Sequence, residues 1–109
     1  MYSIEYLPVA LHDLQDIARY ITQELGSPFA AQRVAEGIVD AVDSLANMPY
    51  WRAVYIPIKT LNREYRTIRY GNYVAFYWIE ERRKAVTVAR ILYGKADFSS
   101  RLAAAEREL

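Results

Sequence analysis

Gly26-Ser27-Pro28 separates two stretches whose apolar residues recur at helical spacing. Before it, Leu14, Ile17, Ala18, Ile21 and Leu25 form one stripe. After it, Ala31, Val34, Ala35, Ile38, Val42 and Leu45 form another. Glycine suits the position that closes a helix, serine caps the next one, and proline fits its first turn, where a missing N–H costs nothing. So short a link predicts an antiparallel hairpin of two helices, Val9–Leu25 and Pro28 to about Asn47. Asp13, Asp16, Arg19 and Gln23 lie largely off the first stripe and read as its solvated face.

The rest of the chain must supply the surface that buries those stripes. Met1–Leu7 alternates weakly, with Tyr2, Ile4 and Tyr6 on one side, and Pro8 ends that strand. Residues 49–62 contain two prolines and read as an ordered loop with a short strand around Ala53–Ile56. Three strands follow: Glu64–Tyr70, the aromatic-rich Tyr73–Glu80, and Ala85–Tyr93. Gly71-Asn72 and the charged Glu81–Lys84 turn join them. Phe98–Leu109 predicts a short Ala-rich helix capped by Asp97 or Ser99. The order is β-α-α-β-β-β, a two-layer α+β fold with the hairpin on one face of a mostly antiparallel sheet. The other face is expected to stand open to solvent or to a partner.

At 109 residues the chain holds one domain, 1–109, and buries about 65% of its unfolded surface, enough to need no disulfide or metal staple. It has no cysteine and one histidine, which excludes a Cys/His zinc site, a redox dithiol and a cysteine nucleophile. No metal and no cofactor is expected. The first residues lack a secretion-signal pattern, and no apolar run approaches the ~20 residues of a membrane span, so a cytoplasmic protein is expected. Charge is unevenly divided. Residues 1–48 carry two basic and seven acidic side chains, residues 49–95 ten basic and three acidic. Eleven of the 14 basic residues are arginine, whose planar fork suits phosphate and carboxylate. The second half therefore reads either as an anion-binding surface or as an ordinary solvated sheet face.

Arg66 and Arg69 lie three apart on one strand and project to opposite faces, Arg69 with Tyr65 and Thr67, Arg66 with Ile68 and Tyr70. Arg69 has the more polar neighbours and is the better phosphate-facing candidate. Arg90 follows Val86 and Val88 on one strand face, the pattern of a buried or rim ion pair, yet it lies near the strand end with Tyr93 and Lys95. His12 reads as an exposed helical histidine. Tyr65, Tyr70, Tyr73, Tyr77 and Tyr93, interleaved with arginine, suit base stacking, strand packing or a protein interface alike.

Several segments carry a family resemblance. They are Ala10-Leu11-His12-Asp13-Leu14, Ile17-Ala18-Arg19-Tyr20-Ile21, Leu45-Ala46-Asn47-Met48-Pro49, Tyr65-Arg66-Thr67-Ile68, Gly71-Asn72-Tyr73-Val74-Ala75-Phe76-Tyr77, and Val88 through Asp97. In their order and spacing they resemble the RelE/ParE superfamily, the toxins of bacterial type II toxin–antitoxin modules of the plasmid-stabilisation type. The resemblance implies growth arrest by action on DNA gyrase or on ribosome-bound mRNA, neutralisation by a cognate antitoxin, and a homodimer or a toxin–antitoxin heteromer. If the chain is a ribonuclease, Arg69, Arg90 and Tyr93 are its catalytic candidates, with Arg66, Lys95, Tyr73 and Tyr77 for binding. Arg66 stands where the superfamily often has arginine, and it reads equally as a structural ion-pair partner. Three departures weaken a ribonuclease assignment: Val74 and Ala96 stand where the ribonucleases carry arginine, and Tyr93 where relatives often have histidine. The alternative is a non-toxic relic or small binding module that keeps only its antitoxin and operator-complex contacts.

Overall fold

The hairpin forms as its punctuation predicts. In the computed structural model, which describes residues 1–109, helix α1 spans Pro8–Glu24 and α2 spans Pro28–Asp43. Gly26 adopts a left-handed φ of +68°, which a β-carbon would strain. Ser27 Oγ accepts the Ala30 N–H at 3.1 Å. The second helix tightens into a 3₁₀ turn over Ser44–Ala46, so its α-helical part stops short of the expected Asn47. Another 3₁₀ turn covers Pro49–Trp51.

Four strands, β1 (Ser3–Tyr6), β2 (Arg66–Tyr70), β3 (Tyr73–Glu80) and β4 (Ala85–Tyr93), form one sheet in the order β1-β4-β3-β2. The last three make the antiparallel meander, and β1 runs parallel to β4 with Ser3 opposite Ala85. Helix α3 (Phe98–Arg107) follows, and of its two candidate caps Asp97 is the one used, accepting the Ser100 N–H at 3.3 Å. The strand expected at Ala53–Ile56 is a single antiparallel bridge between Val54 and Arg66.

The helical hairpin buries its stripes on one face. Ala10, Ile38, Val42 and Leu45 pack there on Ile68, Ala75, Tyr77, Val86, Val88 and Ile91, joined by Tyr2, Ile4 and Tyr6. The opposite face is not open, contrary to expectation. Leu102 and Phe98 of α3, with Tyr55 and Leu61 of the 49–62 loop, cover Val74, Phe76, Trp78, Ala89 and Leu92. The cause lies in the composition of β3 and β4, which are apolar on both sides, so each needs a cover on both sides.

A bulge in β4 redirects its only charge. Phe76 faces Arg90 and Tyr77 faces Val88, which leaves Ala89 as the extra residue. Arg90 therefore leaves the face of Val86 and Val88, where simple alternation placed it. It finds Asp13. β1 ends at Tyr6, and beyond the Leu7 N–H bond to the Val88 carbonyl the outer edge of β4 has no strand beside it. The Asp13 carboxylate of α1 fills that gap. It accepts the Ile91 N–H at 2.9 Å and Arg90 Nε and Nη2 at 2.7 Å each. Arg90 Nη1 reaches on to the Arg101 carbonyl of α3 at 3.4 Å. Both side chains of the pair are about 10% exposed or less. Asp13, expected on a solvated face, is thus a buried member of the core.

A second polar cluster ties down the opposite end of the sheet. Glu81 Oε1 accepts the hydroxyls of Tyr2 and Tyr50, each at 2.7 Å, and Glu81 pairs with Lys84, which also lies over the Tyr2 ring. The cluster joins β1, the Pro49–Trp51 turn and the β3–β4 connection. The Lys84 ammonium, followed by the two phenols, holds the Glu81 carboxyl down at about 2.

Two outcomes follow. Asp13→Ala strands a buried guanidinium and the Ile91 amide, and is expected to cost about 3–5 kcal/mol in urea unfolding. Asp13→Leu combined with Arg90→Met removes both charges and is expected to recover part of that loss. For Glu81 the folded carboxyl lies below its ordinary 4.5, so its contribution is complete above that value and disappears as the pH falls toward about 2. Across that window the melting temperature of Glu81→Gln should fall less steeply than that of the unmodified chain.

Candidate functional site

The seven residues singled out as site candidates do not converge. Arg69 shares a row with Val74 and Leu92, on the face covered by α3. Tyr93 shares a row with Tyr73, on the face covered by the helical hairpin. Arg90 is held at the β4 edge by Asp13, whose hydrogen bonds keep its guanidinium charged against the cost of burial. One catalytic candidate thus lies on each face and the third is locked inside.

Arg66 and Tyr77 both tie the 49–52 segment to the sheet. Arg66 Nη1 donates to the carbonyls of Tyr50 at 3.1 Å and Arg52 at 2.7 Å, and its head lies 5.4 Å over the Tyr50 ring. The arginine thereby fastens the chain leaving α2 to the start of β2. Tyr77 is fully buried and donates its hydroxyl to the Pro49 carbonyl at 2.6 Å. Burial pushes its phenol up to about 12, against the pull of Arg66 and Arg52. Arg66 also lines an open depression with Tyr50, Arg63, Glu64, Trp78, Ile79 and Glu80.

Tyr73 and Tyr93 belong to a cleft. Their rings meet edge-on at 5.8 Å, and Tyr93 is about half exposed. With Asp16, Ile17, Tyr20, Leu25 and Asn72 they line an open depression of about 660 Å³ between the end of α1 and the β2–β3 turn. Its one carboxylate, Asp16, is paired with Arg19 at 2.8 Å. The cleft has aromatic and aliphatic walls, and its one carboxylate is taken up by Arg19, which suits an apolar side chain better than a phosphodiester. Sequence reading missed Tyr20 and Leu25 as surface residues, because both continue the helical stripe beyond the edge of the sheet.

Arg69 and Lys95 remain as exposed cations. Gly94, which precedes Lys95, lies close to Arg69: a β-carbon there would sit 3.7 Å from Arg69 Nη1 and 3.2 Å from the Asn72 carbonyl. Neither cation has a carboxylate within ion-pair distance, and the same holds for Arg52 and Arg82. Most other cations of the basic half are used inside the molecule: Arg83 pairs with Glu5 and Glu80, Lys84 with Glu81, Arg90 with Asp13, and Arg63 lies 4.4 Å over the Trp78 ring. His12 is exposed, as expected. No group of three or more His, Cys, Asp or Glu side chains is placed to hold a metal ion.

The positions that depart from the ribonuclease pattern now have a place. Val74 is fully buried in the second core, and Ala96 packs against it.

Comparison with known proteins matches this architecture. Residues 4–98 match the family described as the ParE toxin of the type II toxin–antitoxin system, parDE. A search of curated proteins gives no match. Among solved structures, the chromosomal ParDE system of P. aeruginosa is similar with a TM-score of 0.67 and 21% identity, over 85% of this chain and 96% of that one. The RelBE2 toxin–antitoxin complex of Mycobacterium tuberculosis gives 0.60 and 18%, over 84% and 96%. The archaeal RelE-RelB complex of Pyrococcus horikoshii gives 0.56 and 15%, over 86% and 96%. At these identities the structures establish a shared fold, and the family match extends over most of the chain: this protein belongs to the ParE toxin family of type II toxin–antitoxin systems.

Proposed function

We propose that the chain is a growth-arresting toxin that acts on DNA gyrase and does not cleave RNA. The observation that carries this reading is the second core. RNA cleavage needs a group to take the 2′-OH proton, a group to protonate the leaving oxygen, and cations on the phosphate, all at one place. Val74 and Ala96 put apolar surface where the ribonuclease branch has arginine, and α3 covers it. Arg69, Arg90 and Tyr93 are divided between two faces and a buried ion pair. Binding to a protein target needs no such convergence. Arg69 and Lys95 then serve as rim charges of a protein contact and Arg90 as a positioning residue. Residues 1–109 act as one unit in the cytoplasm, neutralised by a cognate antitoxin. No helix is long and apolar enough to cross a membrane, which agrees with that location.

Pulse labelling of cells minutes after induction of the chain alone tests the reading. DNA synthesis is expected to fall before protein synthesis, and the purified chain is expected to inhibit supercoiling by gyrase while mRNA in a translating extract stays intact. Early loss of protein synthesis with cleaved mRNA would replace it with the ribonuclease reading. Growth unaffected by induction would leave the relic.

A further inference from the structure

Arg63 is held in position and yet holds nothing. Its guanidinium lies 4.4 Å over the Trp78 ring, and that ring is itself buried, so the cation rests on a fixed platform. A ring contact of this kind engages the charge and not the donors. None of the Arg63 N–H groups meets a carboxylate or another acceptor in the molecule. Arg66 lines the same open depression, whose volume is about 550 Å³. Its Nη1 is taken by two carbonyls, but its Nη2 stops 3.6 Å from Glu64, beyond hydrogen-bond length. Glu64 is therefore a carboxylate without a hydrogen bond, its side chain 66% exposed. Glu80, in the same lining, is already engaged by Arg83 and the Trp78 indole N–H.

The depression thus offers three things at once: guanidinium donors, one free carboxylate, and an apolar wall of Ile79 and the half-exposed Tyr50 ring. Its volume lies within the ~300–1,000 Å³ of small-molecule sites and far exceeds what a bare anion fills. A carboxylate ligand is satisfied by one arginine fork, whereas the oxygens of a phosphate can engage two. A planar ring that carries N–H groups suits the wall and Glu64 together. A nucleic-acid strand has a phosphate at every nucleotide and would set the neighbouring ones against Glu64 and Glu80, like charge on like. A single nucleotide avoids that repulsion.

We propose that this depression binds a free nucleoside monophosphate, its phosphate on Arg63 and Arg66, its base against Tyr50 and Ile79, and the N–H groups of the base on Glu64. Arg66 also fastens the 49–52 segment through the Tyr50 and Arg52 carbonyls, so a bound phosphate would share a guanidinium with that tether. The site stands apart from the choice of target above, because none of these side chains is assigned to the target contact.

The test titrates the full chain with the common ribonucleoside 5′-monophosphates. Binding is followed by calorimetry and by tryptophan emission in a Trp51→Phe background, where Trp78 is the only indole left. Saturable binding of at least one monophosphate is expected, with its nucleoside and inorganic phosphate each about tenfold weaker. Arg63→Gln is expected to weaken the monophosphate about tenfold, the loss of one charge-assisted hydrogen bond, and Arg63→Lys to fall between, since it keeps the charge and loses the fork. Glu64→Ala is expected to weaken the monophosphate but not inorganic phosphate. Arg33→Gln, the same charge change on α2, is expected to leave affinity unchanged. Arg63 and Glu64 are exposed, so thermal melts should not move; if that of Arg63→Gln does, Arg63→Lys decides. No saturable signal with any monophosphate overturns the proposal, as does equal affinity in the Arg63 variants. Inorganic phosphate bound as tightly as the nucleotide reduces the site to an anion contact and overturns it too. Tighter binding of a single-stranded oligonucleotide, or of an acidic peptide, reassigns the depression to nucleic acid or to a protein partner. Growth arrest enters none of these readouts, so the site and the toxin reading fail separately.

Discussion

Asp13 and Arg90 stand 77 residues apart and meet in the interior at 2.7 Å. Three layers depend on that contact. The carboxylate belongs to α1, the guanidinium to β4, and a further N–H of the guanidinium points to α3. The pair also closes an account of backbone hydrogen bonds, since Asp13 supplies the acceptor that the short β1 does not extend far enough to offer Ile91. The other ion pairs each involve at least one side chain about 40% or more exposed, and such pairs contribute at most about 1 kcal/mol. Breaking a buried pair costs several times as much. The surface network around Glu81 trims the fold, whereas the buried pair sets how helix and sheet sit on one another.

Local signals in the sequence were accurate. Gly26, Ser27 and Pro28 marked the hairpin turn, and β3 and β4 begin and end where periodicity and turns put them. What failed depended on distant parts of the chain. Asp13 reads as solvated when Leu14 is the stripe residue, yet Ala10, Asp13, Ile17 and Ile21 also form an unbroken helical series. An acid in that series and a lone arginine in the apolar run Ala85–Tyr93 were each anomalous, and their meeting explains both. The bulge at Ala89 left no mark that alternation could detect, so Arg90 was set on the wrong face. The open face was inferred by counting elements, although Val74, Phe76 and Trp78 already showed that β3 is apolar on both sides. Which face Arg69 and Tyr93 each occupy depends on strand register, which periodicity alone does not give.

Charge asymmetry pointed to an anionic partner, and the structure reduces its weight. Arg66 is spent on two carbonyls, Arg90 on Asp13, Arg83 on Glu5 and Glu80, and Lys84 on Glu81. Two of these cations, Arg90 and Arg83, take up acids of the first half, Asp13 and Glu5. An arginine-rich sheet half is therefore as much a device for joining distant segments as a sign of nucleic acid, and the distinction needs the partner of each guanidinium.

The parallel pairing of β1 with β4 has a consequence for how the protein comes into being. Ser3 bonds beside Lys84, and Tyr6 lies opposite Val88. During synthesis the hairpin of α1 and α2 emerges first, with apolar stripes that have no sheet to rest on, and Asp13 waits for an arginine not yet made. Contacts of such long sequence separation form slowly and together. Both cores take residues from β4, and the second also takes Leu102 from α3, so neither core is complete on a nascent fragment that stops short of them.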